Sequence, residues 1–223
     1  MCKVMVKVEK KVFDFYRRIV FGSNYKRDDI NKDNIFNLCF NNAWNDMART
    51  IDPVTFSMLD GSDEKTKKLR KNAIQNLKLA IKDYFKIVYE NDEIYNIIEN
   101  CFKKNDRKIS NLEFYYGQAQ KVVNMFFKYL YTFKKELGLE DNFFTKCHCP
   151  IDNITLKRIK DNLKINDIIE KKVNDECQYI YKGESWSKLS EDNYNKIQEM
   201  VDEIIKSSDG KYKNRLDYEF DWE

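Results

Sequence analysis

The chain has 223 residues, 42% of them hydrophobic and 35% charged, with a formal net charge of +3. That length supports one large domain or two small lobes around a real core, and that balance excludes a disordered chain. No apolar run nears the roughly 20 residues that cross a bilayer, and "MCKVMVKVEKKVFDFY" lacks the core and cleavage site of a secretory signal, so a cytoplasmic protein is expected.

With 2 prolines and 6 glycines the chain has little of the punctuation that an all-β fold needs, and its periodicity is helical. Val4, Val8, Val12, Phe15 and Ile19 recur every three or four residues, and the stretch stops at Phe21 and Gly22. Ile35, Leu38, Cys39, Trp44 and Met47 predict a second helix that ends before Pro53. A third follows Ser62, apolar from Ala73 to Val88, with a charge run at 63–71 that reads as a solvated face. A short amphipathic helix is predicted from Ile94 to Phe102. Further helices are predicted over 118–137, from Asn153 to about Leu163, near 166–181 and over 191–206. In the tail "RLDYEFDWE", Leu216, Tyr218, Phe220 and Trp222 alternate with polar residues, the pattern of a half-buried extended segment. No repeat or linker interrupts the chain, so 1–223 reads as a single all-α unit of two helical lobes.

The six cysteines include no CxxC, and only Cys147 and Cys149 cluster, around the sole histidine, His148. Adjacent ligands in so short a span rarely satisfy tetrahedral zinc without a second pair elsewhere, so reduced thiols and no metal or cofactor are expected.

Two segments carry the candidate chemistry. "GQAQKVVNMFFKYLY" begins at Gly117 and is apolar on nearly every side from Val122 to Phe133, the pattern of a helix in the middle of a fold. Yet it holds Lys121 in its first turn, where the positive helix end disfavours a cation and turns an amine towards its neutral, nucleophilic form. "CPIDNITLKRI" begins at Cys149 and puts Asp152 at a helix N-cap, where a carboxylate accepts backbone N–H bonds and stays ionised. An amine and a fixed carboxylate at two helix starts can meet across a cleft.

Together these segments resemble the active-site region of the helix-hairpin-helix DNA glycosylases, in particular the 8-oxoguanine DNA glycosylase group and its archaeal relatives. Gly117 matches the hairpin's first glycine, Lys121 the nucleophile, and Pro150, Ile151 and Asp152 the acidic motif, with a lysine-to-aspartate spacing similar to the archaeal branch. The likeness covers 117–159 and departs from the family at Ala119, where a second glycine is usual. It implies a two-lobed helical bundle acting as a monomeric DNA N-glycosylase and abasic-site lyase. Lys121 would attack C1′ of a flipped nucleotide in duplex DNA, and Asp152 would stabilise the cationic sugar.

The same resemblance implies phosphate contact by backbone amides of Gly117, Gln118, Ala119 and Gln120, with Lys104, Lys108 and Lys128 as nearby cations. Met125 matches the residue that packs on the extruded base. Trp186 or Trp222 would cover its other face, and His148 lies close enough in sequence to reach the pocket. The base is open: 8-oxoguanine in base excision repair, or a modified base of invading phage DNA in a defence role. A non-catalytic helical module that binds DNA or protein is the competing class, in which Lys121 and Asp152 are structural.

Overall fold

The computed structural model describes residues 32–48, 50, 75, 78, 79, 82, 116–165 and 185–221. The helices predicted over 4–19, 94–102 and 166–181 lie wholly or almost wholly outside the described residues, as do Lys104, Lys108 and Trp222. Of the helix predicted after Ser62, only residues 75, 78, 79 and 82 are described, each helical.

Among the described residues all regular structure is helical and there is no strand. The elements are α1 (Lys32–Ala48), α2 (Tyr116–Tyr131), α3 (Asp141–Phe144), α4 (Asn153–Ile165), a 3-10 turn (Trp186–Lys188), α5 (Glu191–Lys206) and α6 (Arg215–Phe220). None of the described helices is long and apolar enough to cross a membrane.

Helix α2 is central among the described helices, and every residue from Gly117 to Tyr131 is buried. On one side, α1 offers Ile35, Phe36, Cys39, Phe40, Ala43, Trp44 and Met47, a buried face at three- and four-residue spacing. These pack with Val122, Val123, Phe126, Phe127 and Leu130 of α2 into a first apolar cluster, in which the Phe36 ring meets the Phe126 ring edge-on at 5.3 Å. Tyr129 crosses the interface and donates to Asp46 at 2.6 Å. A second cluster gathers Ile159 of α4, Trp186 of the 3-10 turn, Tyr194, Ile197 and Val201 of α5 and Tyr218 of α6, with Ile151 and Leu189 from the adjoining loops.

The α-helical part of α2 stops at Tyr131, short of the predicted Leu137. From Thr132 the backbone bonds run three residues back, Thr132 to Tyr129, Phe133 to Leu130 and Lys134 to Tyr131. The Thr132 hydroxyl also donates to the Tyr129 carbonyl at 2.7 Å, which competes with the helical ladder. Gly138, at φ +65°, then reverses the chain in a conformation that suits glycine.

Helix α5 matches the predicted 191–206, and Ser190 caps it by accepting from the Asn193 N–H. The tail corrects its prediction: residues 215–220 are helical, not extended, with the Asn214 side chain accepting from the N–H groups of Leu216 and Asp217. The alternation arises because α6 is buried on two sides. Leu216 and Phe220 pack on the first cluster and Tyr218 on the second, so a helix wedged between two cores imitates a period of two.

Candidate active site

Apart from Gln118, the buried amide and lysine side chains of α2 fall on one stripe that starts at Gly117. Gly117, Gln120, Lys121, Asn124 and Lys128 recur at three- and four-residue steps, all buried, along the helix that otherwise supplies apolar side chains. The segment from Cys147 to Asp152 runs over this stripe, and the contacts between the two build the site.

Lys121 and Asp152 meet: Lys121 Nζ lies 2.6 Å from Asp152 Oδ2, joining positions 31 apart in sequence. The two carboxylate oxygens divide their work. Oδ1 accepts from the backbone N–H groups of Ile154 and Thr155, each at 2.9 Å, and caps α4 as expected. Oδ2 is left for the lysine. The Lys121 side chain is 7% exposed and that of Asp152 25%, so solvent reaches the pair from the aspartate side. Burial pushes the Asp152 carboxyl upward, but the Lys121 charge, its hydrogen bond and the Thr155 N–H outweigh this and hold it below the ordinary value of 3.8.

This shift sets a pH dependence. A depressed folded pKa adds stability that is complete above the ordinary carboxylate value and is lost as pH falls through the folded one. Asp152→Asn, which keeps the cap, should cost about 2 kcal/mol at neutral pH in urea unfolding. The gap between the two proteins should persist down to about pH 4 and close below it, because acid then neutralises the wild-type carboxylate as well. A gap that widened in acid would mean the pair does not carry this stability.

The loop under Asp152 is gripped by two glutamines. Gln120 donates through Nε2 to the Ile151 carbonyl at 2.8 Å, and its Oε1 accepts from the Ile151 N–H at 3.1 Å. Gln198 does the same for Cys149, donating to its carbonyl at 2.7 Å and accepting from its N–H at 3.1 Å. Pro150 between them has no N–H, and its carbonyl accepts from the Thr155 hydroxyl at 2.9 Å. Asn124 ties the grip to Tyr194, donating to Gln120 Oε1 at 2.9 Å and to the Tyr194 hydroxyl at 2.8 Å.

A second ion pair sits about two helical turns further along the stripe. Lys128 Nζ lies 2.5 Å from Glu219 Oε1, with side chains only 4% and 9% exposed. The other carboxylate oxygen accepts from the Cys149 thiol at 3.3 Å and the Thr155 hydroxyl at 3.4 Å. Burial, and then the Glu219 charge, push the Cys149 thiol well up from its ordinary value. It is a structural thiol, not a nucleophile.

The geometry corrects several expectations. Lys121 stands beyond the first turn of α2, because the helix already includes Tyr116. Gly117, Gln118, Ala119 and Gln120 do not form an open hairpin over a phosphate: they are buried in α2. The Gly117 N–H donates to the Leu189 carbonyl at 3.0 Å, and Gln118 donates to the Thr50 carbonyl at 3.0 Å. Lys128 is enclosed with Glu219 and cannot present its charge to DNA. Met125 packs in the first apolar cluster. His148 turns to the Tyr194 hydroxyl, 2.7 Å from Nδ1, and lines a cavity to which neither Lys121 nor Asp152 contributes. Cys147 and Cys149 enter different apolar clusters, so the three side chains of "CHC" diverge. Among the described residues no group of three His, Cys, Asp or Glu side chains is placed to hold a metal.

Trp186 is the expected residue that the structure does bring to the pair, its ring centroid 5.8 Å from Lys121 Nζ. Gly117 explains its position. A Cβ at residue 117 would lie 2.1 Å from the Trp186 carbonyl oxygen, so only glycine lets the 3-10 turn sit against α2. Gly117→Ala should therefore cost about 3 kcal/mol in urea unfolding, the upper range for overpacking against backbone. A neutral result would show that the turn is not held there. Glu219, Gln198 and Tyr194 went unnoticed in the sequence, since nothing local marks them.

Comparison with protein-family models, with curated proteins and with solved structures finds no match.

Proposed function

We propose that the chain is a DNA glycosylase with abasic-site lyase activity, a two-lobed helical bundle working on a modified base in duplex DNA through a Schiff base on Lys121. The observation that carries the reading is the 2.6 Å contact between Lys121 Nζ and Asp152 Oδ2, with the Trp186 ring beside the amine. The two apolar clusters that meet around α2 support the two-lobed arrangement.

In this mechanism Lys121 gives up an ammonium proton, for which Asp152 Oδ2 is the nearest acceptor, and the neutral amine attacks C1′ of the flipped nucleotide. The C1′–N bond breaks and its electron pair leaves with the base. The Asp152 carboxylate faces the positive charge that develops on the sugar. Opening of the ring gives a Schiff base between Nζ and C1′, and loss of a proton from C2′ expels the 3′ phosphate. Trp186 offers an aromatic face for the base.

The test is borohydride trapping with labelled duplexes that carry 8-oxoguanine, other modified bases or an abasic site. A covalent complex is expected with at least one of them, and the duplex that traps separates repair from removal of a phage base. A second reading is favoured by the Lys128–Glu219 pair, which repeats the lysine–carboxylate contact in an enclosed position. In it, Lys121 and Asp152 are a structural clamp in a non-catalytic module, and no duplex gives a covalent complex.

A further inference from the structure

We propose that Tyr194 is a positioning residue for Asp152, which it aims at Lys121 through Asn124 and the Gln120 carboxamide. In its bearing on rate, the proposal rests on the glycosylase reading. Tyr194 belongs to α5 and is fully buried. Its hydroxyl goes to Asn124, 70 positions away, and to His148, 46 away, and not to Lys121 or Asp152.

The direction of each bond follows from the last. The Ile151 N–H can only donate and its carbonyl can only accept, so Gln120 turns Oε1 to the first, at 3.1 Å, and Nε2 to the second, at 2.8 Å. Gln120 Oε1 therefore meets Asn124 as an acceptor, and Asn124 presents Nδ2 to it at 2.9 Å. The same Nδ2 faces the Tyr194 oxygen at 2.8 Å, so the hydroxyl accepts there and its own proton goes elsewhere. The remaining partner is His148 Nδ1, at 2.7 Å. To accept, that nitrogen must be bare, so the imidazole is neutral and carries its proton on Nε2. The electrostatics agree. Burial, followed by the charge of Arg215 and opposed by Asp202, pulls the His148 pKa down to about 4. Burial also pushes the Tyr194 hydroxyl well up, so it keeps its single proton.

No second arrangement satisfies these groups. Turning Asn124 over would set its oxygen against Gln120 Oε1 and towards the Cys149 carbonyl, 3.4 Å from Nδ2. Turning Gln120 over would set its oxygen against the Ile151 carbonyl. The tyrosine hydroxyl accepts from Asn124 and passes a proton on to His148, so it decides which way both carboxamides face. Gln120 then fixes the peptide groups of Ile151, the residue before Asp152. Without the hydroxyl, the second Nδ2 proton keeps only the long approach to Cys149, and the buried imidazole nitrogen loses its donor.

The experiment compares the full wild-type chain with Tyr194→Phe, which keeps the packed ring. His148 is the only histidine, so its ring nitrogens give one set of ¹⁵N signals, expected to show the proton on Nε2. The Asp152 carboxyl, followed by ¹³C NMR, should titrate closer to its ordinary value of 3.8 in Tyr194→Phe, as its contact with Lys121 loosens. Single-turnover base release should slow by roughly tenfold or more with DNA affinity unchanged, the signature of misplacement rather than lost binding. His148→Asn, whose carboxamide oxygen can stand in for Nδ1, should keep the rate, and His148→Leu should lose it. That pair also decides the matter if Tyr194→Phe does not fold. A wild-type chain that traps no duplex ends the glycosylase reading, and the Asp152 titration then tests the positioning role by itself. An imidazole protonated on Nδ1, or folded variants with an unchanged Asp152 titration or an unchanged rate, overturns the proposal.

Discussion

Lys121→Gln is expected to abolish borohydride trapping and to reduce base release by roughly 10⁴-fold or more, since it removes the amine that forms the proposed Schiff base. The fold should survive. Glutamine is a good helix former, and its carboxamide can still donate to Asp152 Oδ2, which Lys121 Nζ now approaches to 2.6 Å. Asp152 also keeps its two N–H partners from Ile154 and Thr155, so it is not left unsatisfied. The comparison with Asp152→Asn is informative. That variant keeps the amine, so it should slow base release strongly while still yielding some covalent product on an abasic duplex, where no base has to leave. Measuring trapping and unfolding midpoint on the same samples separates a lost nucleophile from a lost fold. Full lyase activity in Lys121→Gln would move the nucleophile to another residue and end the proposed mechanism.

Glu219→Leu should be the most destabilising single change, costing about 3–5 kcal/mol in chemical denaturation. It leaves the Lys128 ammonium, 4% exposed, without the carboxylate at 2.5 Å, and it removes the carboxylate that accepts from the Cys149 thiol and shares the Thr155 hydroxyl with the Pro150 carbonyl. Lys128→Met should cost less, because Glu219 keeps those two donors. The double variant Lys128→Met/Glu219→Leu should recover most of the loss, since a buried ion pair replaced by apolar residues of similar volume is often neutral. A double-mutant cycle should therefore give a coupling of about 2 kcal/mol or more. Additive single effects would show that the two side chains do not depend on one another.

The parts legible in the sequence are those that local chemistry controls. Helix α5 matches its predicted span because Ser190 caps it and its apolar residues keep one face. Asp152 was readable as a cap because the residue type and the proline before it determine that geometry locally. The polar stripe on α2 was also present as spacing, at 117, 120, 121, 124 and 128, but the density of apolar residues around it hid the period. Lys128 was misread because a lysine's charge says nothing of its surroundings: its partner Glu219 is 91 positions away. Gly117 looked like part of a hairpin, whereas its role depends on a carbonyl at Trp186 that only the tertiary structure brings near. The tail failed for a related reason. A helix buried on two sides loses the periodicity that would identify it.

The paired glutamines have a consequence for how the aspartate is aimed. Gln198 and Gln120 read residues 149 and 151, which are two apart, as a neighbouring strand would read alternate residues of its partner. Among the described residues, whose regular structure is all helical, two carboxamides on separate helices here stand in for one edge of a sheet. The loop is thereby indexed: a slip of one residue would bring Pro150, with no N–H, opposite a glutamine that needs one. Only one threading of the chain satisfies both side chains. That threading leaves Asp152 as the first residue beyond the grip, facing Lys121.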